Sequence, residues 1–161
     1  MNAVPDWLPS LILLNDYGGD WSRYFAELYR AFQADFMAQS MSFQGMPLSC
    51  KRHPLIEGKE ATFWHLISEG KIEAERTPDL RRCERIRWPR AIIEHAADPL
   101  VKMWENERKG EVRTLLWLES QEYLVVMANR PTYILIWTAY TVTQSHMKRK
   151  LRQEYEASRK G

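Results

Sequence analysis

The chain has 161 residues, of which 45% are hydrophobic and 27% charged, and its net charge is only +2. These values exclude a disordered polymer and a uniformly basic nucleic-acid coat, and they fit one globular domain with a real core. The apolar run Leu8–Leu14 is too short to cross a bilayer.

Cys50 and Cys83 lack CxxC spacing and cannot build a zinc site by themselves. A disulfide between them is formally possible, but two buried free thiols are the favoured reading and fit a reducing, cytoplasmic compartment. With no run long enough to span a bilayer, no membrane partner is expected. In the first stretch, Pro5 and Pro9 precede a turn signal at Asn15–Gly19. Asp20 is then placed to cap a helix on which Tyr24, Phe25, Leu28, Tyr29, Phe32 and Phe36 recur at three- and four-residue spacing. That stripe reads first as core and second as a docking face. Residues 39–58 are loop-like, with a short strand or extended arm leading into the next helix, and Pro54 biases His53 toward an extended backbone.

A second helix is expected from about Glu60 to Gly70, with Phe63, Leu66 and Ile67 inward and Trp64 and His65 beside them. Thr77 and Pro78 suggest a cap and first position for a third helix. That helix carries Arg81, Arg82, Arg85 and Arg87, with Arg90 just beyond, and only Glu84 among them opposes their charge. Guanidinium groups so crowded call for a polyanion, for internal carboxylates (Glu60, Glu69, Glu73, Glu75 and Asp79 are near in sequence), or for both. Trp88-Pro89 is expected to break the helix, and His95 reads as structural or exposed.

From residue 101 the pattern changes to β-branched and aromatic segments: VKMWENE, RTLLWLE, YLVVMANR and TYILIWTAYTV. Short polar breaks separate them, as in an antiparallel meander. A basic helix closes the chain from Gln144, with Lys148, Arg149, Lys150 and Arg152 near its start. The expected fold class is α+β: N-terminal helices, a four- to five-stranded antiparallel sheet, then a C-terminal helix.

Several of these segments together carry a resemblance. His53-Pro54, the run Gly58-Lys59-Glu60, Phe63–Gly70 (FWHLISEG), Arg76 with Pro78–Arg90 (PDLRRCERIRWPR), Ile92–His95, Trp104-Glu105-Asn106 and Trp137–Tyr140 (WTAY) resemble a group of uncharacterised bacterial and phage-associated proteins. That group is similar to the barnase–EndoU–colicin–RelE superfamily of small ribonuclease toxins. The resemblance spans about residues 48–155. It implies residues 48–161 as a ribonuclease domain, with residues 1–47 as a helical extension packed on it. It also implies metal-independent cutting of RNA (tRNA or mRNA) on the concave face of the sheet, no cofactor, and a cognate antitoxin or immunity protein as partner.

The residue chemistry is compatible. Metal-free cleavage through the 2′-hydroxyl needs a base, an acid and cations around phosphorus. His65 is the natural acid/base. Arg82 and Arg85, or Arg87, would hold the non-bridging oxygens. Thr138 and Tyr140, at i and i+2 of one strand, share a face; threonine can fix a phosphate oxygen and tyrosine can stack or pass a proton. Arg81, Arg87, His53, Lys59 and Lys148 are expected along the RNA track. Two other readings remain open: a catalytically silent RNA-binding module, and a protein-interaction component of a phage-defence or toxin–antitoxin system.

Overall fold

The structure, a computed structural model, describes residues 3–160. Its centre is a meander of four antiparallel strands, β5 (Val101–Arg108), β6 (Glu111–Leu118), β7 (Tyr123–Asn129) and β8 (Ile134–Thr141). The expected purely antiparallel sheet needs correction. β2 (Met46–Cys50) runs parallel to β8 through Leu48↔Ile134 and Cys50↔Ile136, and β1 (Ser42–Phe43) pairs with β2. The result is a six-stranded mixed sheet in the order β1-β2-β8-β7-β6-β5. The fold class is α+β.

Helices α1 (Trp21–Phe32), α2 (Ala61–Ile67), α3 (Leu80–Glu84) and α4 (Trp88–Glu94) belong to one side of this sheet. Asp20 caps α1 by accepting from the Arg23 amide, and the helix runs on into a π-turn at Gln33–Met37. Its Tyr24, Leu28 and Phe32 are fully buried against Phe63, Leu66 and Ile67 of α2 and against Leu116, Val125 and Ile136 of the sheet. Each large side chain so buried contributes roughly 2–3 kcal/mol. The helix α5 (Ser145–Lys160) covers part of the opposite face, where Leu151 joins Trp104, Leu115, Trp117 and Leu124. No helix among the described residues is long and apolar enough to cross a membrane.

Local expectations in the middle of the chain change in three places. α2 stops at Ile67, because Ser68–Glu69 (β3) pairs with Thr77–Pro78 (β4) in a small hairpin instead of continuing the helix. Asp79, not Thr77, caps α3, accepting from the Arg81 amide at 3.0 Å. Trp88-Pro89 opens α4 instead of ending a helix, since a proline in the first turn forfeits no helical hydrogen bond. Cys50 and Cys83 are free, and burial pushes both thiols up to about 12, so they stay protonated.

One irregularity in β8 positions everything that follows. Thr138 pairs with Val126 and Ile136 with Met127, which leaves Trp137 without a partner in a β-bulge. Side chains alternate strictly along a strand, so an extra residue reverses the alternation. Ile134 and Ile136 face the helical core, whereas Thr138 and Tyr140 lie on the α5 side, in register with Val126 and Leu124. β2 pairing also ends at Cys50↔Ile136, so the last part of β8 is an edge that α2 and the β3–β4 hairpin must close.

Candidate active site

α2 meets this edge through hydrogen bonds that take the place of a strand. The Thr62 hydroxyl donates to the Ile136 carbonyl, and the His65 ring reaches the Trp137 carbonyl with Nδ1 at 3.2 Å. The Thr138 hydroxyl returns a bond to the His65 carbonyl at 3.1 Å. A carbonyl can only accept, so Nδ1 carries a hydrogen. Nε2 lies 2.8 Å from the Glu73 carboxylate, so both ring nitrogens are engaged within the protein. His65 is 4% exposed, yet it lines a cavity of about 280 Å³ that opens between β8 and the β3–β4 hairpin. Trp137, Thr138, Tyr140, Arg76, Arg82 and Glu73 line it as well.

The two guanidinium groups have different duties. Arg76 is fully engaged: Nε donates to the Ser68 hydroxyl, Nη1 to the Gly70 carbonyl and Nη2 to the Ser68 carbonyl. Desolvation lowers its pKa from the usual arginine value, and that cation serves to pin the hairpin. Arg82 places Nη1 on the carbonyls of His65 (3.0 Å) and Ser68 (2.6 Å), where α2 ends. Nε stands 3.7 Å from Asp79, and the guanidinium lies 5.4 Å from the centre of the Tyr140 ring. Nη2 makes no hydrogen bond among the described residues, so one donor edge of Arg82 remains for an anion. Burial raises the Tyr140 pKa, and Arg108, Arg82 and Arg113 pull it down by less. The phenol therefore stays protonated at neutral pH and can donate.

Of the residues singled out in the sequence, His65, Arg82, Thr138 and Tyr140 come together here. The others do not. Arg85 turns away, stacking on Trp88 at 5.0 Å and bonding to Glu84 and the Arg81 carbonyl. Arg81 is exposed, and Arg87 lines a separate hollow with Arg90, Asp35, Trp7 and His95. His53 is an exposed loop residue, Lys59 lies over Phe25 and Tyr29, and Lys148, on α5, pairs with Glu122. Among the acidic residues near the arginines, Asp79 answers Arg82, while Glu73 answers the histidine and Glu60 accepts from the Tyr29 hydroxyl.

Sequence reasoning passed over Arg76 and Trp137 as site residues and missed the pairing of Glu73 with His65. Glu73 lies eight positions beyond the ring, and only the β3–β4 hairpin folds it back. Larger hollows exist, of about 490 Å³ beside Lys102 and Lys148, about 400 Å³ beside Trp21 and about 350 Å³ under Pro47, but none of these contains a histidine. Comparison with family models, with curated proteins and with solved structures returns no match.

Proposed function

We propose that this cavity is the active site of a metal-independent endoribonuclease of toxin type. The observation that carries the reading is the meeting of a histidine–carboxylate couple, a guanidinium edge and a protonated phenol around one solvent-facing space. Both ring nitrogens of His65 already face protein oxygens, so the proton of the 2′-hydroxyl passes to the His65–Glu73 couple through the Glu73 carboxylate as the 2′-oxygen attacks phosphorus. Arg82 Nη2 meets the negative charge that builds on a non-bridging oxygen. Tyr140 gives its hydroxyl proton to the departing 5′-oxygen, and the proton held by the couple returns through water to the tyrosine, which resets both groups. The products are a 2′,3′-cyclic phosphate and a 5′-hydroxyl end. Thr138, bonded to the His65 carbonyl, is a positioning residue in this scheme.

A second reading, a silent RNA-binding module, rests on a specific observation. Arg76 and half of Arg82 are spent on backbone carbonyls, so the cations serve the fold before any ligand. Incubating the protein with total RNA in EDTA and sequencing the new ends separates the two. The ribonuclease reading expects 2′,3′-cyclic phosphate termini. Strongly salt-dependent binding with no new ends supports the silent module, and neither binding nor cleavage contradicts both.

A further inference from the structure

On the other side of α2, Trp64 faces a second cleft, of about 400 Å³, lined by Trp21, Ser22, Phe25, Glu57, Trp64 and Pro78. Three aromatic rings form its walls. Phe25 is central, with Trp21 at 5.8 Å and 34° and Trp64 at 5.5 Å and 38°. Neither pair is face to face, so the rings splay around the cleft. The walls are fixed before anything enters. Trp64 donates its indole N–H to the Ile56 carbonyl at 3.0 Å, and Phe25 packs edge-on against buried Phe63. Trp21 is 40% exposed, a large apolar surface left to solvent at the mouth.

Glu57 supplies the one charge of this lining. It sits in a tight turn closed by reciprocal backbone bonds between Ile56 and Lys59, at 3.1 and 2.9 Å. Its φ of 52° is a left-handed conformation that glutamate adopts at a cost. Its carboxylate forms no ion pair among the described residues. The same aromatic helix face already attracts a cation nearby, where Lys59 Nζ lies 5.2 Å from the Phe25 ring and 5.0 Å from Tyr29.

We infer that this cleft binds an arginine side chain presented by a partner polypeptide. A planar guanidinium stacks on splayed aromatic rings, the methylene stem covers Trp21 and Pro78, and the head group donates to Glu57. The occupant is independent of the nuclease reading, although a partner anchored here would stand one helix away from His65.

The test uses N-acetyl-arginine-N-methylamide as probe and follows the tryptophan indole N–H resonances of the whole chain by NMR, with Trp21 assigned through W21F. The expected result is a saturable shift at Trp21 and Trp64. The citrulline analogue, neutral and of the same shape, should bind ~10-fold more weakly, since it lacks the cation. Glu57→Gln, on an exposed turn, should weaken the arginine probe severalfold while the indole spectrum stays native. Absence of a saturable shift overturns the inference, and so does equal binding of citrulline or an unchanged affinity in Glu57→Gln.

Discussion

Arg82 and Arg90 belong to one basic run, yet they meet different parts of the molecule. Arg82 closes the end of α2 and offers its remaining edge to the cavity of His65. Arg90 bonds to Glu94, Gln39 and the Asp35 carbonyl, in a hollow that shares no lining residue with that cavity. The joint at 85–87, where α3 gives way to α4, turns the two ends of the run apart. Density of charge along a chain is therefore not density in space. A histidine accompanies each arginine and sharpens the contrast: His65 contacts a carboxylate beside open space, whereas His95 stacks flat on Trp7 at 4.5 Å and bonds to the Ala91 carbonyl.

The contrast can be broken most forcefully at His65. His65→Ala should lower RNA cleavage by ~10²–10⁴-fold, while His95→Ala, measured in the same gel assay, should leave the rate near that of the wild type. Next comes Arg82→Ala, which leaves the carbonyls of His65 and Ser68 without their charged donor. Urea unfolding should show a loss of about 2–3 kcal/mol. Arg82→Lys should recover part of the stability but little of the cleavage rate, because an ammonium lacks the planar fork that the proposed phosphate contact uses.

Smaller effects belong to the other hollow. Arg90→Ala should cost about 1 kcal/mol and Arg87→Ala, on an exposed side chain, less than ~0.5 kcal/mol; thermal melts suffice to rank them. Asp35 there is buried, and desolvation raises its pKa despite the opposing pull of Arg87 and Arg90. A carboxyl whose pKa is higher folded than unfolded stabilises the fold fully below its ordinary value near 3.8, and that contribution is lost as pH rises through the folded value. Asp35→Asn should therefore flatten the pH dependence of stability above pH 3.8, with no loss at neutrality; a melting temperature that drops at neutral pH would count against the assignment.

Much of the frame was readable from the sequence. The four meander strands announce themselves by β-branched and aromatic runs, and Asp20 and the aromatic stripe of α1 carry their own cap and periodicity. β2 was harder, because MPLSC contains a proline and its partner lies beyond a long crossover, so no local pattern marks a parallel pairing. The bulge at Trp137 was invisible for a related reason. A continuous apolar run reads the same with or without an extra residue, yet that residue decides whether Thr138 and Tyr140 face the helical core or the α5 side. The His65–Glu73 contact depends on a hairpin of two-residue strands, too short to leave a periodic signal.

On the proposed reading, one cavity and not the whole basic run receives RNA. A 2′-deoxy oligonucleotide, which lacks the attacking hydroxyl and cannot be cut, can be titrated while the ring C–H resonances of the four histidines are followed by NMR. The expected result is a saturable displacement of His65 with His95 unmoved. A displaced His95, or a stationary His65 in the presence of bound oligonucleotide, would contradict it.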